Sequence, residues 1–192
     1  MKEKKSRKGI LVLRVFFLLL ALGCCVYIFI NSAESAARSS TRSKEVTEKL
    51  SPVLIENYEN LTPREKTHQK SMLEERLRTS AHGMEFAALG MSCAAFALTF
   101  LAAFKGKKAA FLPLFALVFC VLYALSDEIH QTFVPGRAFQ TADILMDCVG
   151  ALTGILLVSL PVLIVVSMRT RKGEKKKEAD PSPVEEQEEQ AF

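Results

Sequence analysis

The chain reads as an all-α membrane protein: a bundle of four transmembrane helices with a polar outer loop and a disordered cytoplasmic tail. Three observations lead there. Apolar residues make up 49% of the 192 residues, and they gather into four blocks at 11–30, 82–104, 109–125 and 144–168. Each block has about the 17–20 residues that a helix needs to cross a hydrocarbon core. Mean hydropathy is +0.19 although 24% of residues are charged, a combination explained by apolar spans separated by charged loops and tails. Lysine and arginine also cluster beside the blocks, which sets an orientation.

The basic segment 1–9 leads into the first span, 10–30. A basic start before an apolar run also describes a cleaved signal peptide, but this run exceeds the about 7–15 residues of a signal core, so a retained anchor is expected. Gly23-Cys24 is a weak lipoprotein signal, because Ala21 and Leu22 are poor preceding residues and the apolar run continues past the cysteine. Arg14 lies near the inner end of the span, where its stem reaches back to the interface. The outer polar segment 31–80 follows. Its Ser/Thr/Arg/Glu-rich part, 39–48, has no sustained apolar face and is expected to be mobile. Thr62-Pro63-Arg64-Glu65 then signals a helix start, with Thr62 as N-cap, Pro63 at the first helical position and Glu65 closing a capping box. This helix should pass through Met72, Leu73, Leu77 and Arg78 into the second span as its solvated extension.

Spans two to four make up the region 81–168. Pro113 falls in the first turn of the third span, where proline is tolerated. The tail, 169–192, contains lysines, then Pro181-Ser182-Pro183, then Glu and Gln, and lacks the apolar content for a core. With four spans, the basic residues of 1–9, Lys105-Gly106-Lys107-Lys108 and the cluster at 169–177 share one side. The positive-inside rule makes that side cytoplasmic, with both termini inside and the 31–81 and 127–143 connections outside. A bacterial cell membrane is the expected location.

The net charge of +4 is accounted for by these clusters, which set topology and touch anionic lipid; it is no sign of nucleic acid. Cys24, Cys25, Cys93, Cys120 and Cys148 all lie in spans, so they read as small packing residues and not as a disulfide framework or a zinc site. There is no internal repeat, glycine-rich phosphate loop, His-Glu-x-x-His or Gly-x-Ser-x-Gly.

The chemistry-bearing stretch is Ser126-Asp127-Glu128-Ile129-His130-Gln131-Thr132-Phe133-Val134-Pro135-Gly136-Arg137. Ionisable groups at a bilayer boundary are costly unless partnered or wet, which gives them a functional reading. In span four, Asp143, Asp147, Gly150 and Gly154 share a helical face, and Gly150-x-x-x-Gly154 lets another helix approach closely. Both aspartates should therefore point into the bundle. Span two has a small or polar face of Glu85, Ala88, Ser92, Ala95 and Thr99, with His82 one turn earlier. Asp127, His130 and Gln131 share a face if the third helix runs that far, and Val134-Pro135-Gly136 puts Arg137 on a constrained loop. His82, Glu85, Asp127, Glu128, His130, Gln131, Arg137, Asp143 and Asp147 form the candidate ligand-binding set, converging at the outer mouth. The plain alternative is that Arg137 pairs with a carboxylate and the others tie helix ends together.

These residues resemble the VanZ-like family of small bacterial membrane proteins, named for a protein associated with teicoplanin resistance. The family's Asp-Glu-x-x-Gln, Pro-Gly-Arg and Asp-x-x-x-Asp-x-x-Gly elements stand here as Asp127-Glu128-x-x-Gln131, Pro135-Gly136-Arg137 and Asp143-x-x-x-Asp147-x-x-Gly150. A second element matches Arg78, Ala81-His82, Glu85-Phe86 and Leu89-Gly90. The likeness covers 78–154. It departs at Thr79 and Gly83, where a basic and an aromatic residue are common, in the length of the first outer segment, and in Ser32, Ser35 and Ser39, which only loosely follow a serine-rich end of span one. The resemblance implies envelope biology and reduced glycopeptide susceptibility, and no particular reaction.

Two functions fit these residues. In the first, the outer mouth binds or moves an anionic envelope component, such as a lipid-linked cell-wall precursor or a phosphate head group. Arg137 makes bidentate contact, His82 or His130 adds donors, and Asp147 is available as a proton-linked group. In the second, an intramembrane hydrolase or transferase acts on a lipid-linked phosphate, with a divalent cation held by the same His and carboxylate groups activating water. No cofactor is identified, and no spacing names a metal ligand or a nucleophile, so binding or transport is favoured over catalysis. The topology predicts that a cysteine label at Thr132 reacts with an impermeant reagent in intact cells, whereas labels at Lys107 and Lys175 do not. The reverse pattern would place the candidate site in the cytoplasm.

Overall fold

The computed structural model describes residues 2–101 and 111–179. The basic turn at 105–108 and the tail from 180 onward lie outside them. The elements are α1 (Lys2–Ser32), α2 (Ala36–Leu54), a 3-10 turn (Tyr58–Asn60), α3 (Pro63–Leu98), α4 (Leu112–Gln131) and α5 (Thr141–Ala179). Among the described residues the chain is all-α, and α1, α3, α4 and α5 are long and apolar enough to cross a membrane. The 20 residues of α4 span about 30 Å, matching a hydrocarbon core, whereas the 36 residues of α3 span about 54 Å. The N-terminal part of α3 therefore extends beyond its span. Residues 169–179, expected to be disordered, instead continue α5.

The start of α3 follows its sequence signal. The Thr62 backbone N–H donates to Glu65 Oε2 at 2.8 Å and the Glu65 N–H donates to Thr62 Oγ1 at 3.4 Å, a complete capping box with Pro63 in the first turn. Against this extension lies α2, a difference from the mobile segment expected at 39–48. An apolar stripe is not what holds it. Ser39, Thr47 and Ser51 are its buried residues, Lys70 pairs with Glu48 at 2.6 Å, and Ser40 donates to Glu74 at 3.3 Å. Periodicity of apolar residues is blind to a helix of this kind, because its docking face is small and polar.

The bundle is organised around α3, which packs against α5, α1 and α4, and two of its faces are distinctive. One packs on α5 through glycine. A Cβ added to Gly150 would run into the Gly83 carbonyl oxygen and stand 2.9 Å from its carbon; one added to Gly154 would meet the Ala87 carbonyl oxygen; and one added to Gly90 would meet the Ala151 carbonyl oxygen. The backbones thus touch directly, with carbonyl oxygens resting against Cα–H groups. The other face, Glu85, Ser92 and Thr99, was expected to look into the bundle as a whole and turns specifically to α1. Asn31 Nδ2 donates to Glu85 Oε1 at 2.8 Å, Cys24 Sγ lies 3.8 Å from Ser92 Oγ, and Arg14 Nη2 donates to the Thr99 carbonyl at 3.3 Å. Arg14 also stacks on Phe100, 4.0 Å from its centroid.

The core is a cluster of Ile28, Phe86, Leu89, Cys93, Ala94, Cys120, Ala124, Ala151 and Ile155 with their neighbours. All five cysteines are free, and Cys93 and Cys120 are buried in this core. Tyr123 of α4 ties back to α1 by donating to the Cys25 carbonyl at 2.6 Å. Overpacking a close helix contact costs about 1–3 kcal/mol. Gly150→Leu and Gly154→Leu are therefore expected to lower the thermal midpoint in detergent and the abundance in membranes. Gly23→Ala, at a position with nothing within 4 Å of the added carbon, should lower neither. Equal melting of all three variants would show that the glycine contact does not hold the bundle.

Candidate functional site

At one end of the bundle meet the C-terminal ends of α1 and α4, the N-terminal end of α5 and the middle of α3. The α4–α5 loop is built by a turn in which the Arg137 N–H donates to the Val134 carbonyl at 3.1 Å. Pro135 takes the second position and Gly136, at φ 79°, the third, the pattern of a type II turn that needs glycine there. The Ala36 N–H at the start of α2 donates to the Pro135 carbonyl at 3.3 Å. The loop and the α1–α2 joint are thereby locked together.

Arg137 emerges from this lock half-buried. Its Nε donates to the Glu34 carbonyl at 3.1 Å and its Nη1 to Gln131 Oε1 at 3.0 Å, while Gln131 Nε2 donates to Asp127 Oδ2 at 3.0 Å. Burial, and after it the neighbouring charge of Arg78, lower the Arg137 guanidinium from its ordinary pKa. The acids Asp127, Glu34 and Asp143 act in the opposite sense. Between α2, α3 and the loop lies a cleft of about 180 Å³ whose walls include Arg42, Arg78, Arg137, His82, Asn31 and Glu85. That is room for about six waters at liquid density, or for a phosphate-sized anion with a few waters. Arg42 also pairs with Glu34 at 3.0 Å.

Behind the cleft the acids gather. Asp127, Glu128 and Asp147 are 4%, 2% and 3% exposed, far below what lone carboxylates tolerate, so each needs an account. Asp127 has Gln131. Glu128 Oε1 accepts the Gln140 backbone N–H at 2.5 Å, which holds the chain just before α5. Asp147 lies within electrostatic reach of Asp127, Asp143, Glu128 and Glu85, and its Oδ1 has no hydrogen-bond partner among the described residues. Of the sequence-derived set, His82, Glu85 and Arg137 therefore line the cleft, Asp127 and Gln131 stand behind Arg137, and Glu128, Asp143 and Asp147 form the inner acid group. His130 does not line the cleft; its ring packs on Phe29 of α1, centroids 4.6 Å apart.

Arg42, Asn31 and Arg78 were absent from that set. Arg78 had a signal in the matched Arg-x-x-Ala-His element. Arg42 had none, because it stands in the polar stretch 39–48 and only the packing of α2 brings it to the cleft. Among the described residues no three His, Cys, Asp or Glu side chains are grouped so that they could hold a metal ion.

The sequence matches a family model described as VanZ/LLP1 over residues 17–164. No curated protein and no solved structure matches the chain.

The geometry separates a structural carboxylate from the rest. Glu128→Ala removes a charge-assisted bond to a backbone N–H and is expected to destabilise the protein by about 1.5–3 kcal/mol, whereas Glu128→Gln keeps an acceptor and loses less. Thermal unfolding in detergent distinguishes them. If the two variants melt together at the wild-type temperature, the Gln140 bond does not hold the start of α5.

Proposed function

The chain belongs to the VanZ/LLP1 family, and from that membership and the geometry of the cleft we propose a function in the bacterial cell envelope. The protein is a multi-pass component of the cell membrane, with both termini cytoplasmic, that binds or moves an anionic envelope component at an outward-facing polar site. Through that component it alters susceptibility to teicoplanin-type glycopeptides. The observation that carries this reading is the convergence of Arg42, Arg78, Arg137 and His82 on one cleft.

Guanidinium groups present planar pairs of donors that match phosphate oxygens, and a half-buried site strengthens such bonds by limiting competition from water. Glu85 is the acid in the cleft wall, and Asn31 occupies its Oε1. The basic clusters of the sequence flank the opposite ends of the spans, which under the positive-inside rule turns the cleft outward. For transport, the buried Asp147 is the group suited to a proton-linked step.

The test is binding of pyrophosphate to the purified protein by calorimetry, beside glycopeptide susceptibility of cells at matched membrane abundance. Each of Arg42→Gln and Arg78→Gln should weaken binding by roughly tenfold or more, the equivalent of one charge-assisted hydrogen bond, and shift susceptibility in parallel. Unchanged binding in the double variant would remove the cleft as the anion site.

A further inference from the structure

The cleft shares two wall residues with a neighbouring cavity. Ala81 and Glu85 line the cleft, and the same two residues line this second, larger cavity of about 520 Å³ between α1 and α3. That cavity is otherwise walled by Leu19, Leu20, Gly23, Cys24, Tyr27, Met84 and Ala88, and so is apolar except where it meets the cleft. It lies along the spans, on the side where α1 and α3 leave surface exposed: Leu19, Leu20 and Tyr27 of α1 and Met84 of α3 are all open. A polar chamber walled by three arginines thus borders, at Ala81 and Glu85, an apolar groove along the membrane-spanning surface.

Gly23 lines the groove. Nothing lies within 4 Å of a carbon added there, so no helix contact requires glycine, although glycine in a helix interior costs about 1 kcal/mol relative to alanine. The space beside it, toward Ala88 and Met84, is open. On the outer side, Ser39, Ser43 and Val46 of α2 line the cleft like a roof.

We infer that the anionic component is a lipid bearing a phosphate, whose head seats among Arg42, Arg78 and Arg137 and whose chain leaves between α1 and α3 along the Gly23 groove. This rests on the anion reading of the cleft and adds the class of ligand and its route. The two parts of the ligand find different physics. The head gains charge-assisted hydrogen bonds. The chain gains only packing, because it moves from one hydrocarbon surface to another, so selectivity resides in the head and access resides in the groove. An anion arriving from water would have no use for an apolar groove beside Ala81.

The test uses the full chain in nanodiscs of zwitterionic lipid. A monophosphate lipid with a photoreactive group on its chain is compared with a zwitterionic lipid carrying the same chain. Labelled residues are identified by mass spectrometry and scored at Leu19, Gly23 and Met84 against the exposed α4 positions Val118 and Leu122. The phosphate lipid should label the groove roughly tenfold more than the zwitterionic lipid, as expected for one charge-assisted bond. Gly23→Leu, which puts a side chain into the groove, should reduce that excess, and the Arg42→Gln/Arg78→Gln double variant should remove it. The lipid comparison is made on the unmodified protein and so does not depend on how the variants fold. Equal labelling by both lipids, or labelling indifferent to Gly23→Leu, overturns the lipid route; if pyrophosphate still binds in an arginine-dependent way, the anion reading stands. Indifference of both pyrophosphate and phosphate lipid to the arginines overturns the two together.

Discussion

Direct backbone contact between α3 and α5 is the constraint on which the other features depend. Within a membrane no hydrophobic effect drives helices together, so association relies on packing and on polar contacts. Here the packing is carbonyl against Cα at Gly83–Gly150, Ala87–Gly154 and Ala151–Gly90. No flexible side chain lies between the helices at these points, so their register cannot slide without a clash. Asp147 is three residues before Gly150, while His82 and Glu85 flank Gly83. The close contact thereby fixes the distance between the inner acids on α5 and the cleft residues on α3.

With one face committed to α5, α3 has to satisfy its remaining polar groups elsewhere, and α1 supplies the partners. Glu85, Ser92 and Thr99 are seven residues apart, and they meet Asn31, Cys24 and Arg14 in reverse chain order, the pattern of two antiparallel helices. The last of these contacts also explains how a charge is tolerated in the first span. A cation at mid-span costs about 2.5–3.5 kcal/mol on insertion scales. Arg14 sits at the C-terminal end of α3, where the orphan carbonyls carry partial negative charge, and over the face of Phe100.

The spans, the capping box at Thr62 and the turn at Pro135-Gly136 were legible in the sequence because each depends on local chemistry: a run of apolar residues, a side chain reaching its own helix start, a glycine where φ is positive. Asp127, Gln131 and Arg137 were legible as a group because an apolar segment makes nearby polar residues conspicuous. What could not be read was anything decided by two polar surfaces meeting. The α2 helix is one case, since its docking face of Ser39, Thr47 and Ser51 resembles a solvated segment in sequence. Arg42 is another, because only the packing of α2 brings it to the cleft. The division of α3 into an α5 face and an α1 face was also hidden, since small residues on adjacent helical faces form one broad stripe in sequence.

Arg137 shows why a structural tie and a ligand-binding group need not be alternatives. Its two hydrogen bonds go to neutral acceptors, the Glu34 carbonyl and the Gln131 side-chain oxygen. Had Asp127 paired with it directly, the two charges would have cancelled at contact distance and the guanidinium would have had little left to offer an anion. Instead Asp127 holds Gln131, and Gln131 holds Arg137. The carboxylate thus orients the arginine at one remove. Neutral acceptors set the direction of the guanidinium while its charge stays on the wall of the cleft, beside Arg78, where the two like charges raise each other's energy. A bound anion would relieve that repulsion, so the arrangement that joins the α4–α5 loop to the α1–α2 joint is also one that favours an anion between them.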